Sequence, residues 1–263
     1  MTYWVLKALL SPIFFGFWRV QVVGRENIPK NGPVILAPNH TSFCDSFFLP
    51  LVLRRRVTFV AKAEYFDSWK TAWFFRAAGQ IPMHRQGGSA SERALAAARG
   101  VLTTGGVLGI YPEGTRSPDG KLYKGHTGVA RLALQCGAPV IPVGMAGTTE
   151  VQPIGSNMMR PFKTVRVCFG EALKVGDHSS QAAADPLVLR RIADELMFEI
   201  RNLSGQEYVD RYAKRHDVVG GTDTASIEPL HAVHPEGLTG VLAVPIDTDL
   251  AVAASPNAPS SAA

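Results

Sequence analysis

The sequence predicts an α/β domain built on a mixed, largely parallel central sheet flanked by helices, and two observations support this prediction. Short β-branched runs alternate with helical stretches of about 10–15 residues, which is the pattern of helices packed on the faces of a sheet. Hydrophobic residues make up 46% of the 263 residues and charged residues only 19%. A chain of this length and composition can bury a sizeable core.

The candidate strands are the β-branched runs, and the candidate helices are the stretches between them. The strands are Val20–Val23, Val34–Ala37, Thr58–Ala61, Val107–Tyr111, Val140–Val143 and Thr164–Phe169. The helices are Ser46–Leu53, Trp69–Ala78, Ala90–Thr103, Thr127–Gln135 and Pro186–Leu203, with Gln206–Arg215 as one further short candidate.

Residues 1–18 are expected to form an interfacial, membrane-anchoring helix, or two short helices separated by a break. The apolar stretch Val5–Trp18 is interrupted by Lys7, Ser11 and Pro12 and is shorter than the roughly 20 residues that cross a bilayer. Its large aromatic side chains and neighbouring basic residues suit the headgroup boundary. The alternative is an N-terminal helix that packs on the core.

Charge divides the chain into a basic body and an acidic tail. Residues 217–263 contain six of the 22 acidic residues and none of the 27 basic ones, so the preceding residues carry a net charge of +11. A basic body favours an anionic partner, either phosphate groups, an anionic membrane or nucleic acid. Nucleic acid is disfavoured because no recognition helix, zinc finger or aromatic RNA-binding motif is present. We expect one folded domain over 19–216 and a flexible tail over 217–263.

The three cysteines are too few and too scattered for a disulfide framework or a zinc site. We interpret the three cysteines as reduced thiols, which is typical of a cytosolic protein. The N-terminus has no small-residue cleavage site, which argues against a secretory signal.

A first candidate site follows the strand Val34–Ala37. His40 can exchange protons near neutral pH, and Asp45 can fold back to its imidazole, fix the tautomer and stabilise the imidazolium. On spacing alone an equal alternative is that Asp45 caps the following helix. A nucleophilic Ser42 or Cys44 is a weaker alternative because neither lies in a G-x-S-x-G elbow.

A second candidate site follows the strand Val107–Tyr111. Gly114 allows the backbone to approach a ligand, and Arg116 offers a planar fork for phosphate beside hydroxyl groups that include Thr115. Glu113 is a candidate for positioning a polyol hydroxyl. The alternative is an ordinary turn with a solvated arginine.

Two further cations, Lys62 and Arg85, also follow strand-like segments. Either one alone is more typical of a surface charge than of a ligand. If the strands are parallel neighbours, however, both cations gather with Arg116 at one edge of the sheet, near His40.

Four segments occur in order along the chain: Asn39-His40-x-x-x-x-Asp45, Gly79-x-Ile81-Pro82-x-x-Arg85, Tyr111-Pro112-Glu113-Gly114-Thr115-Arg116-Ser117 and Val140-Ile141-Pro142-Val143. Together they resemble the motifs of the glycerolipid acyltransferases of the 1-acyl-sn-glycerol-3-phosphate acyltransferase (PlsC) type. The resemblance covers roughly residues 15–205, and Ala61–Phe66 and Ser117–Gly125 are most similar to actinobacterial members.

The resemblance implies acyl transfer from acyl-CoA or acyl-carrier protein to the sn-2 hydroxyl of a lysophospholipid, with lysophosphatidic acid as the first candidate acceptor. It implies His40 as the general base and Asp45 as its orienting group, in a protein on the cytoplasmic face of the cell membrane. No metal or prosthetic group is expected. The implied substrate-binding residues are Lys62, Arg85, Glu113, Gly114, Thr115 and Arg116.

Two departures from the family pattern stand near the site. Tyr111 replaces the commoner Phe, and Met83-His84 replaces the commoner Val-Asp, so the acceptor preference of this chain is open. Two other functions remain as alternatives. One is a thioesterase with water as the acceptor, and the other is a non-catalytic membrane lipid-binding protein.

Overall fold

The computed structural model of the protein describes residues 2–67, 69–83, 88–173, 175 and 183–213, and all elements below lie in those ranges. The predicted tail over 217–263 lies outside the described residues. The strands are β1 (Arg19–Val23), β2 (Val34–Pro38), β3 (Val57–Lys62), β4 (Ile81–Met83), β5 (Val107–Gly109), β6 (Leu122–Tyr123), β7 (Val140–Ala146), β8 (Thr164–Phe169) and β9 (Tyr208–Val209). The helices are α1 (Thr2–Phe17), α2 (Asp45–Val52), α3 (Glu64–Asp67), α4 (Trp69–Ala77), α5 (Gly88–Thr103), α6 (Gly128–Cys136), α7 (Thr148–Val151) and α8 (Pro186–Ser204).

Seven strands form one sheet in the order β1-β8-β7-β2-β5-β3-β4. All neighbouring pairs are parallel except β7 and β8, which run antiparallel. The predicted fold class, a mixed and largely parallel sheet flanked by helices, is confirmed. Because β2, β3, β4, β5 and β7 point the same way, their carboxyl ends meet at one edge, and the loops that carry chemistry leave from there.

The two faces of the sheet bury separate apolar clusters, and alternation along β2 shows the division. Val34 and Leu36 pack with residues of α1 and α2, including Phe14 and Phe48. Ile35, one position along, packs with α5, α6 and α8 on the opposite face. Such double burial explains why β2 is a continuous apolar run rather than an alternating one.

The predicted helix over Gln206–Arg215 is wrong. Helix α8 ends where Gly205 adopts a left-handed conformation with φ of 73°, and its N–H group bonds to the carbonyl of Arg201. The chain then extends, and Tyr208 pairs with Leu122 in a two-stranded sheet of β9 and β6. Tertiary pairing therefore overrides the local helical pattern.

Helix α1 is continuous through Pro12, so the break considered from the sequence is absent. Tyr3 and Phe14 are buried against the domain, whereas most other large apolar residues of the helix are exposed. One face thus packs on the core, as the second alternative expected, and the other faces outward; the membrane-anchoring role stays a prediction. Among the described residues, no helix combines the length and apolarity that crossing a bilayer requires.

Lys7 attaches α1 to α2. Its ammonium group donates to the carbonyl oxygen of Pro50, at 3.0 Å, and to that of Leu53. Both carbonyl groups lie at the C-terminal end of α2, where the last carbonyl groups lack the N–H donors that a further helical turn would supply. Burial lowers the pKa of Lys7. This lysine, expected at the headgroup boundary, therefore points inward.

We predict that Lys7→Met lowers the free energy of unfolding by about 1.5–3 kcal/mol, because two carbonyl groups lose a charged donor. Denaturant unfolding measures the loss, and Lys30→Met, at an exposed position, is the matched control. Equal stability of the two variants would contradict this role of Lys7.

Candidate active site

The buried carboxylate of Asp45 organises the turn after β2. Its Oδ2 atom accepts a hydrogen bond from His40 Nδ1 at 3.0 Å and from the N–H groups of Thr41 and Ser42, each at 2.8 Å. Asp45 is fully buried, and its Oδ1 atom has no hydrogen-bond partner among the described residues. Since a carboxylate can only accept, Nδ1 carries the imidazole proton and proton acceptance falls to Nε2.

The helix-capping alternative does not fit this geometry. The N-cap residue of α2 is Cys44, and no side-chain hydrogen bond caps the helix. The Asp45 side chain instead points back along the turn to His40.

Tyr111 supports the imidazole from one side. The rings of His40 and Tyr111 are stacked, with centroids 3.7 Å apart and planes 14° apart. The Tyr111 hydroxyl lies 3.0 Å from Ser46 Oγ on α2. Burial raises the pKa of Tyr111 well above its ordinary value, so the hydroxyl stays neutral. The phenylalanine commoner at this position lacks the hydroxyl that makes this link.

The loop after β5 holds the backbone of His40 on both sides. The His40 N–H group donates to Glu113 Oε1 at 3.0 Å, and the His40 carbonyl accepts from the Ser117 N–H group at 2.7 Å. Because β2 and β5 are paired in register, their loops leave the sheet side by side. The two sequence motifs therefore form one structural unit.

Glu113 is buried, and both of its carboxylate oxygens are engaged by the backbone. Oε2 accepts from the N–H group of Tyr123 at 3.0 Å, while Oε1 accepts from that of His40. Burial raises the pKa of Glu113 to about 8, against the two N–H donors, which lower it. We therefore interpret Glu113 as a residue that positions the loop of His40 rather than as a direct contact of the acceptor.

A cavity of about 920 Å³ lies beside His40, a size typical of ligand sites. Arg116 is among the residues that line it, and its side chain is exposed. Apolar side chains from several elements also line it, together with polar ones such as Lys7, Gln80 and Arg131. The apolar ones include Tyr3, Leu6 and Leu10 of α1, Phe47 and Leu51 of α2, Phe59 and Val60 of β3, and Ala94, Leu95 and Ala98 of α5.

The structure brings His40, Gly114, Thr115 and Arg116 together on this cavity, with Asp45 and Glu113 directly behind them. Lys62 ends β3 at the same edge of the sheet, and its backbone is paired with Met83 of β4. The side chain of Lys62 and the whole of Arg85 lie outside the described residues, so their roles stay predictions.

Asn39 and Gln206 form a link that sequence reasoning missed. The Asn39 amide bonds to both backbone groups of Met145 on β7 and donates to Gln206 Oε1 at 2.6 Å. Gln206 in turn donates to the carbonyl of Gly120. The segment after α8 thus contacts the residue next to His40, although 166 positions separate it from His40. Nothing local in the sequence signals such a contact.

The nucleophile alternatives are disfavoured by burial. Ser42 Oγ lies within 3.2 Å of Cys44 Sγ and of two oxygens of Gln152. Cys44 is fully buried, and burial raises the pKa of its thiol to about 12. A thiol in this state supplies almost no thiolate near neutral pH. Among the described residues no cluster of His, Cys, Asp and Glu could hold a metal ion.

We predict that Glu113 makes stability decrease as the pH rises from about 4.5 to about 8, because the unfolded chain releases this proton first. Glu113→Gln should flatten that part of the curve of unfolding free energy against pH. Chemical denaturation at a series of pH values measures the slope. Glu195→Gln, at an exposed position on α8, is the control and should retain the native slope.

Comparison with known proteins agrees with this site. A family model described as Acyltransferase matches residues 19–146. The chain is 28% identical over 181 residues to the chloroplastic 1-acyl-sn-glycerol-3-phosphate acyltransferase of Arabidopsis thaliana, covering 68% of this chain and 49% of that protein. It is 29% identical over 195 residues to a 1-acyl-sn-glycerol-3-phosphate acyltransferase of Chlamydomonas reinhardtii, covering 73% of this chain and 58% of that protein.

The chain thus spans between 49% and 58% of the length of these two relatives. The crystal structure of the 1-acyl-sn-glycerophosphate acyltransferase PlsC from Thermotoga maritima superposes with a TM-score of 0.59 at 29% identity, covering 75% of this chain and 76% of that one. The resemblance to actinobacterial members stays a prediction. The segment matched by the family model contains His40, Asp45 and the Glu113–Ser117 loop, so the similarity of this chain to acyltransferases, the 1-acyl-sn-glycerol-3-phosphate acyltransferases among them, includes the candidate site.

Proposed function

We propose that this protein transfers a fatty acyl group from acyl-CoA or acyl-carrier protein to the sn-2 hydroxyl of 1-acyl-glycerol-3-phosphate, giving phosphatidic acid for phospholipid biosynthesis. The observation that carries the proposal is the contact of His40 with Asp45 beside a cavity that combines an arginine with a long apolar wall. A lysophospholipid has the same two parts, an anionic headgroup and an apolar chain.

The reaction that fits this geometry is direct transfer without an acyl-enzyme. His40 Nε2 takes the proton of the acceptor hydroxyl as its oxygen attacks the thioester carbonyl, and Asp45 stabilises the imidazolium that forms. The tetrahedral intermediate then expels the thiolate, which takes a proton from the imidazolium. General-base catalysis of this kind contributes about 10²–10⁴-fold, and positioning of the two substrates contributes more.

Arg116 is our candidate for holding the acceptor phosphate, because a guanidinium binds phosphate through two parallel hydrogen bonds. Lys62 and Arg85 are further candidates through their positions in the chain. A phosphate held at this edge brings the glycerol hydroxyl towards His40. This arrangement also argues against hydrolysis, because a water acceptor needs no phosphate-binding cations.

We further propose that the protein is bound to the cytoplasmic face of the cell membrane as a peripheral or monotopic protein. The outward face of α1 exposes Trp4, Val5, Leu9, Ile13 and Phe17, each at 48% or more. Exposed apolar side chains in this number mark an interaction surface. A bilayer is the surface from which a lysophospholipid has to be taken.

Transfer is tested with the purified 263-residue chain by mass spectrometry of products from a matrix of acyl donors and lysophospholipid acceptors. We expect phosphatidic acid from lysophosphatidic acid, and a loss of about 10²-fold or more in kcat for His40→Ala while folding and membrane binding persist. Near-native turnover of His40→Ala would contradict the mechanism. Thiol release that does not depend on an acceptor would indicate a thioesterase, and binding without turnover a lipid-binding protein.

Arg116→Gln tests the phosphate contact separately. Loss of one charged contact is expected to raise KM for the acceptor by about 10-fold or more, with little change in KM for the donor. Arg54→Gln, at another exposed arginine, is the control. Equal acceptor KM values for the native chain and Arg116→Gln would contradict the assignment.

A further inference from the structure

The loop of residues 152–163, between α7 and β8, holds two large apolar side chains outward. Met158 is 78% exposed and Phe162 is 79% exposed. Hydrogen bonds within the loop fix its course, from Gln152 Nε2 to the carbonyl of Ser156 and from the Met158 N–H group to Ser156 Oγ. The exposure is therefore a property of a defined conformation.

Phe162 also has an unfavourable backbone. Its φ of 60° lies in the left-handed region, where no other non-glycine residue of the described chain is found. A bulky side chain rarely adopts this conformation, and such outliers cluster at functional sites. A hydrogen bond of 2.8 Å from the Phe162 N–H group to the carbonyl of Phe17 maintains it. The result is a strained residue whose side chain is nevertheless mostly exposed.

Phe162 continues the apolar stripe of α1. Val5, Leu9, Ile13 and Phe17 follow at intervals of four residues, so they share one face of the helix, and all are exposed. The Phe162 ring lies next to the last of them, with 6.2 Å between its centroid and that of Phe17. Two segments distant in sequence thus form one apolar surface.

The charges around this surface indicate its partner. Residues 2–25 and 151–170 contain no Asp or Glu, whereas they contain six basic residues. Lys7 points inward, and the other five are Arg19, Arg25, Arg160, Lys163 and Arg166. The exposed Glu26, Glu150 and Glu171 lie directly outside these ranges, so basic groups outnumber acidic ones here without excluding them. An apolar surface with a predominantly basic border is complementary to anionic phospholipid. A second copy of the chain fits poorly, because two basic borders would repel each other.

The base of the loop and α1 both border the cavity that contains His40. Pro153, Ile154 and Asn157 line it from the loop, and Leu6 and Leu10 line it from the helix. A bilayer that contacts both the loop and α1 would therefore lie next to the part of the cavity wall that these two segments supply.

We propose that the 152–163 loop is a second bilayer-binding element, which inserts Met158 and Phe162 into an anionic membrane beside α1. The proposal rests on the membrane association proposed for α1 and adds a contact that α1 does not supply. The left-handed conformation of Phe162 directs its ring towards the lipid, and burial there offsets both the strain and the exposure of the ring.

The test measures binding of the full chain to vesicles of phosphatidylcholine in which about a third of the lipid is phosphatidylglycerol. Phe162→Asn is the informative variant, because asparagine tolerates the left-handed region. We expect about 10-fold weaker vesicle binding together with an unchanged or higher unfolding midpoint. Met158→Ser should also weaken binding and leaves the strained residue in place. Leu187→Ser is the control, because Leu187 is 81% exposed on α8, which packs on the opposite face of the sheet. This variant should bind vesicles as the native chain does.

The outcomes separate the proposals. Native binding by both Phe162→Asn and Met158→Ser would overturn the role of the loop and leave α1 as the anchor. If Phe162→Asn fails to fold, the Met158→Ser result decides alone. If the native chain does not bind these vesicles, both membrane proposals fail, whereas transfer to a detergent-solubilised acceptor still reports on the proposed reaction.

Discussion

The buried Asp45 carboxylate is the interaction on which the site depends. One oxygen of Asp45 gathers the His40 imidazole and the N–H groups of Thr41 and Ser42, so the same contact closes the turn and orients the base. A buried carboxylate without such donors would be costly, and with them it becomes a rigid centre. The geometry of the proposed base is therefore a consequence of how the chain folds after β2.

The strand order of the sheet places the loop with the proposed phosphate contact next to the turn that holds His40. β2 and β5 are neighbours, so the loop with Glu113 and Arg116 lies against the turn with His40 and binds its N–H and carbonyl groups. A displacement of one loop would move the other, because they share these hydrogen bonds. The spacing between the base and the proposed phosphate contact is thus set by backbone pairing, which is more rigid than contacts between exposed side chains.

Much of the fold was predictable because its signals are local. The β-branched runs predicted six strands of the large sheet, and the polar residues after them predicted one reactive edge. Strand β4 was not among the candidate strands, although a strand-like segment was expected before Arg85, because Pro82 disfavours a central strand; β4 lies at the end of the sheet. The contact of Asn39 with Gln206 and the inward turn of Lys7 depend on tertiary packing, which spacing does not encode. Glu113 was recognised as a site residue, but only its burial shows that it serves the backbone.

The central claim is that Asp45 acts through the imidazole of His40, and the kinetics of Asp45→Asn against pH test it most directly. An amide can still accept from Thr41 and Ser42, but it stabilises the imidazolium poorly. The account predicts a folded variant with a near-native KM for the acceptor and a kcat lower by about 10²-fold or more, partly recovered as the pH rises. A folded variant with native kcat and an unchanged pH profile would contradict it.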